Sequence, residues 1–202
     1  VETYHPHQNG YLFAKAGDLV RIVDQNTLES KTSEIVLKKT ERINEKITIL
    51  TFGESIKGKV NRHDGVENVS WESSALLENN IVRNNRARSF LISTSKEVIV
   101  RNNYFSSQMS ALRITGDLDL WNESGPCEDL LIENNTFVDC LYGGQKGHYV
   151  IMIDPQYSNE DYMVSKYSKN ITIKNNIFKT FDPKIILALS VDGLKFENNK
   201  IF

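Results

Sequence analysis

The chain has 202 residues, with 24 basic against 26 acidic side chains and a net charge of −2. That balance gives no electrostatic footing for nucleic acid or an anionic membrane surface, and no stretch approaches the roughly 18 apolar residues of a membrane-inserted span. The length allows one or two domains, and a start at Val1 without Met or signal peptide reads as a fragment or processed piece.

Taken in chain order, the first element is a histidine pair, His5-Pro6-His7, with no further ligand at metal spacing, so no metal is expected. Three alternating runs come next: Leu19 to Val23, Glu34 to Leu37 and Ile47 to Leu50, separated by turn-like segments at Asp24 to Thr27 and Arg42 to Lys46. Strands at this spacing predict a small antiparallel sheet or barrel. It is too thin to hold a core alone and is expected to pack on the C-terminal two thirds of the chain. Asn61, Gly65 and Asn68 suit a surface crossover over 60 to 70, which divides the chain into residues 1–64 and 65–202.

Beyond that point the chain writes two asparagines and then an apolar segment five times, at Asn79-Asn80, Asn102-Asn103, Asn134-Asn135, Asn175-Asn176 and Asn198-Asn199. The spacings of 23, 32, 41 and 23 residues are those of a repeat that lengthens by insertion, the mark of a solenoid. Asn accepts left-handed backbone angles and bonds neighbouring backbone, so an Asn pair suits a tight corner. Stacked corners would let the amides form ladders. Short β-rich runs flank the pairs, such as Val98-Ile99-Val100 before and Ala111 to Thr115 after, where alternation sends Leu112 and Ile114 to one face. A β-sandwich is the competing fold, but it needs hairpins, and hairpins explain neither the pair nor its elastic spacing. The fold class is therefore all-β: a right-handed parallel β-helix with a small N-terminal antiparallel barrel-like unit.

Two coils expand at the corner after their second strand, one from Gly116 to Pro126 and the next from Asp154 through Tyr157, Tyr162 and Tyr167. Insertions at equivalent corners lie side by side and wall one face. Both combine carboxylates with aromatics, as sugar sites do. Cys127 and Cys140 lie in different coil regions and are either a disulfide or two buried thiols. No nucleophile elbow or phosphate loop occurs.

Asn85-Arg86-Ala87-Arg88 with Leu91 to Thr94, the loop Gly116-Asp117…Trp121-x-Glu123-Ser124-Gly125, and Ser190 to Leu194 together resemble the C-terminal half of family-110 glycoside hydrolases over roughly Val69 to Phe202. These are bacterial exo-acting α-1,3-galactosidases that invert at the anomeric carbon. The resemblance implies a cofactor-free hydrolase of terminal α-1,3-linked galactose on oligosaccharides or glycoconjugates, in the periplasm or secreted. It also implies a site incomplete in this chain, because the family's N-terminal coils supply part of it. It suits residues 10 to 60 too, since the family inserts a small β-barrel in its β-helix.

Inversion needs two carboxyl groups about 6.5–9.5 Å apart, one acid and one base. The candidates are Asp117, Glu123 and Asp154, the last on an adjacent coil about 4.8 Å away. Asp117 is alternatively a turn residue capping backbone N–H groups, and Glu123 alternatively a structural partner of Arg86 or Arg88. Arg86 and Arg88 offer planar forks to sugar hydroxyls, Asp119 is a further binding carboxylate, and Trp121 is a stacking platform or a lid. The competing function is a non-catalytic carbohydrate-binding or adhesion β-helix.

Overall fold

The computed structural model describes residues 1–4, 13–118, 121–156 and 165–202; His5, His7, Asp119, Tyr157 and Tyr162 lie outside them. The first unit is an antiparallel sheet of β1 (Glu2–Tyr4), β2 (Leu19–Val23), β3 (Ile35–Arg42), β4 (Ile47–Phe52) and β5 (Gly65–Asn68), in the order β1-β4-β3-β2-β5. Alternation along these strands feeds two small apolar clusters, one of Ala14, Val20, Leu37 and Leu50 and one of Ile22, Ile35 and Ile56; Phe52 and Val66 touch both.

The expected crossover over 60 to 70 is corrected here. Residues Gly65–Asn68 pair with β2, Val20 opposite Asn68 and Ile22 opposite Val66. The turn comes earlier, where Asp64 accepts the Asn61 N–H at 2.6 Å and the Lys31 ammonium at 2.7 Å. Gly-Val-Glu-Asn hides its strand because Gly and Asn are poor strand formers and register is set by the partner. The chain leaves the sheet at Asn68, whose side chain caps a 3-10 turn at Val69–Trp71, so the coils begin after residue 71 rather than at 65.

The coils are successive triplets of strands. They run β6 (Ala75–Glu78), β7 (Ile81–Asn85), β8 (Phe90–Ile92); then β9 (Val98–Arg101), β10 (Tyr104–Ser107), β11 (Leu112–Ile114); then β12 (Leu130–Glu133), β13 (Thr136–Val138), β14 (Ile151–Ile153). After β15 (Ser168–Lys169) come β16 (Ile171–Lys174), β17 (Ile177–Lys179), β18 (Ile186–Ala188), then β19 (Val191–Asp192), β20 (Lys195–Glu197) and β21 (Lys200–Ile201). Three parallel sheets stack them: β20-β16-β12-β9-β6, β21-β17-β13-β10-β7 and β18-β14-β11-β8. This is a parallel β-helix, as the repeat predicts.

The Asn pairs divide the labour at the corner. Every first Asn, at 79, 102, 134, 175 and 198, has φ between 53° and 57°, the left-handed region that Asn tolerates best among residues with a side chain. Every second Asn joins a ladder. Asn80, Asn103, Asn135 and Asn176 each donate backbone N–H and side-chain amide to the Oδ1 of the next, ending at Asn199, at 2.9–3.0 Å. Inside, Phe105, Phe137 and Phe178 stack with centroids 5.1 and 4.8 Å apart, within one continuous core that includes Leu112, Ile114, Ile132 and Ile151. Each such side chain contributes about 1.5–3 kcal/mol by leaving water. Both cysteines are free and buried.

Candidate functional site

Residues 116 to 126 leave β11 as an insertion, and the chain fastens it at several points. Glycine suits position 116, since a Cβ there would run into the ring and hydroxyl of the buried Tyr167. Asp117, 4% exposed, donates its N–H to the Glu123 carbonyl at 2.8 Å and accepts the Trp121 N–H on Oδ2 at 3.0 Å. It bridges in parallel to Gln156 of the next coil. At the far end Gly125 donates its N–H to the Tyr167 hydroxyl at 3.0 Å. Tyr167 is buried under the loop, and burial pushes its phenol well above the ordinary range.

The three candidate carboxylates therefore share one corner of the stack but face different surroundings. Glu123 is exposed and, with Trp121, lines a cavity of about 1990 Å³ between the antiparallel sheet and the first coils. Asp154 lies at the end of β14, where its N–H reaches the Ile114 carbonyl at 2.9 Å. Its carboxylate accepts from Arg113 at 3.0 Å and Gln156 at 2.9 Å. Burial raises the Asp154 pKa from its ordinary value, with Arg113 pulling the other way. Across the same cluster, burial and then Arg113 lower the pKa of His148. Asp117 performs the capping that its alternative reading describes.

Arg86 and Arg88 are not brought to this corner. They sit between β7 and β8, at the N-terminal end of β8, whereas the inserted loops leave the C-terminal ends of β11 and β14. Neither pairs with Glu123 among the ion pairs of the described residues. Trp121 is 67% exposed and lines the cavity. Asp119 lies outside the described residues. Among the described residues no cluster of three or more His, Cys, Asp and Glu side chains could hold a metal.

The buried charge at this junction carries no local sequence signal. Arg21, in the middle of β2, bonds Glu67 of β5 through Nε at 2.5 Å and Glu72 through Nη2 at 2.9 Å. Glu67 is 4% exposed; it also accepts the Ser124 hydroxyl of the inserted loop, and Glu72 accepts the Ser95 hydroxyl. Burial raises the Glu67 pKa despite Arg21 and Ser124, while Arg21, desolvated but facing both carboxylates, is held above its ordinary value. An Arg between apolar neighbours in Leu-Val-Arg-Ile-Val reads as solvent-facing until β5 and the coils cover that side.

Comparison with known proteins fits both halves. The family model described as GLAA-B beta-barrel domain II matches residues 1–66. Over 199 residues, 98% of the chain, it is 37% identical to "Alpha-1,3-galactosidase B" of Akkermansia muciniphila, covering 25% of that protein. It is 36% identical to "Alpha-1,3-galactosidase A" of Bacteroides fragilis, covering 33% of it, and 34% identical to "Alpha-1,3-galactosidase B" of Phocaeicola vulgatus, covering 36%. The similarity thus runs through the antiparallel unit as well as the coils that carry the Gly116 to Gly125 motif. Over nearly its whole length the chain is thus similar to proteins named α-1,3-galactosidase, and it spans a quarter to about a third of the length of these relatives.

Proposed function

We propose that the chain is a segment of an exo-acting hydrolase that removes terminal α-1,3-linked galactose from glycans with inversion, and that the corner of Asp117, Glu123 and Asp154 forms one wall of its site. The observation that supports this best is the similarity to relatives of that name over 98% of the chain, barrel and inserted loop together. The non-catalytic alternative has no comparable support.

The roles rest on the surroundings. Glu123, exposed at the cavity, is the base that takes a proton from water as its oxygen attacks the anomeric carbon. Asp154, held at the end of β14 by Arg113 and Gln156 on the same corner, is the partner carboxyl, which as the acid gives a proton to the departing glycosidic oxygen. Trp121 offers its exposed face to the sugar ring. Asp117 fixes the loop by capping it. Arg86 and Arg88, between β7 and β8, are left out of this wall.

The test is made on the full-length polypeptide with an α-1,3-galactoside, following the product anomer by NMR. Glu123→Gln and Asp154→Asn should each lose roughly 10²–10⁴-fold, the usual worth of general acid–base assistance. Asp117→Asn keeps an oxygen for the Trp121 N–H and should lose far less than Asp117→Ala. The 202-residue segment alone should show little turnover. A retained α-anomer would overturn inversion, and near-wild-type rates in either first variant would remove that residue from the chemistry.

A further inference from the structure

The geometry points to Glu67 as a positioning residue: through Ser124 it ties the inserted loop to the antiparallel unit, so that this unit sets where Trp121 and Glu123 stand. Glu67 belongs to β5, 57 residues before Ser124 in the chain. Its two oxygens divide between two partners, Oε2 with Arg21 and Oε1 with the Ser124 hydroxyl. Arg21 in turn spans to Glu72, which takes both the hydroxyl and the N–H of Ser95 at the start of the second coil. The carboxylate is thus held from the sheet side before it meets the loop. A side chain fixed in this way by buried charge-assisted bonds has few alternative rotamers and can impose its place on a partner.

The loop side is built to receive that constraint. Ser124 lies next to Glu123, and three residues beyond Trp121, in a loop whose ends are already fastened by Asp117 and Tyr167. With both ends held, Glu67 supplies a tie from the antiparallel unit to the loop's cavity-facing part. Glu67 and Ser124 both line the cavity, beside Trp121 and Glu123. A group that must meet a substrate within a fraction of an ångström depends on such support from behind.

The experiment compares Ser124→Ala, Ser124→Thr and Glu67→Ala in the full-length polypeptide, by amide hydrogen exchange and by steady-state kinetics. Ser124→Ala leaves the Arg21–Glu67–Glu72 cluster intact and should raise exchange at Trp121 and Gly125 at least tenfold, with the amides of β2, β5, β12 and β16 unchanged. Ser124→Thr restores the hydroxyl and should restore protection. The kinetic arm rests on the proposed galactosidase activity: kcat/KM on an α-1,3-galactoside should fall about tenfold in Ser124→Ala and recover in Ser124→Thr. Absent turnover by the unchanged enzyme would sink the activity while leaving the exchange arm decisive. Unchanged loop exchange in Ser124→Ala, or a rise shared by β2 and β5, overturns the positioning role. Should Glu67→Ala fail to fold, Ser124→Ala and its rescue still decide the matter.

Discussion

The antiparallel unit and the coil stack hold themselves together in different ways. In the stack adjacent coils repeat their contacts: an Asn amide at the corner, stacked Phe rings inside the three middle coils, and charge pairs such as Glu78 with Arg101 and Glu133 with Lys174 outside. Stability there grows by nearest-neighbour addition. The antiparallel unit has no repeat. Its two clusters are small, and its β2 depends on β5, joined to it across more than forty residues, and on the Arg21 cluster shared with the coils. The difference teaches that the inserted loop of the coils is attached to the less self-sufficient region, through Glu67.

The largest expected effect tests whether the two regions unfold together. Phe137→Ala removes the middle ring of the stack, which is fully buried, and should cost about 3–5 kcal/mol; Leu50→Ala, also fully buried, should cost about 2–5 kcal/mol. Because the Arg21 cluster couples the regions, both variants should shift one common denaturation midpoint. Two separate transitions, with Leu50→Ala moving only one of them, would break the comparison as drawn.

A smaller effect sharpens it within the stack. Asn135 accepts two bonds from Asn103 and donates its amide to Asn176 and to the Val100 carbonyl, all buried. At about 1–3 kcal/mol for each buried group left unpaired, Asn135→Ala should cost several times more than Asn80→Ala. Asn80 is exposed and donates to Asn103 from the end of the ladder. Equal midpoints for the two variants in urea titrations would deny the ladder its additive character.

The smallest effect concerns the thiols, both in the coil region. Burial pushes Cys127 up to about 12 and Cys140 to about 11, from 9.0. The folded state favours the neutral thiol, so its contribution is fully present below pH 9 and declines as pH rises toward 11 to 12, where only the unfolded chain ionises first. Maleimide labelling at pH 8 should be slow in the native protein and fast in denaturant, and the urea midpoint should fall between pH 9 and pH 11. Rapid native labelling would place the thiols outside the core.

Much of this was legible because it is local. Asn79, Asn102, Asn134, Asn175 and Asn198 announce a left-handed corner through a preference of the residue itself, and alternation in Ala111 to Thr115 puts Leu112 and Ile114 inward through strand geometry alone. Repetition then tells which corner meets which. The insertions at Gly116 and Asp154 were visible for the same reason, as departures from a known period.

What the amino-acid sequence by itself determined, then, is the coil, its corner and the place of its insertions, each set by a single residue's backbone preference or a short period. Tertiary structure decided the rest: that Gly65–Asn68 is a strand, that Asp117 turns to the Trp121 N–H while Glu123 opens to the cavity, and that Arg86 and Arg88 sit at another corner. It also made Arg21 and Glu67 a buried pair, 46 residues apart. Nothing within a few residues of either one encodes the other, because a charge is buried only where a distant partner arrives to satisfy it.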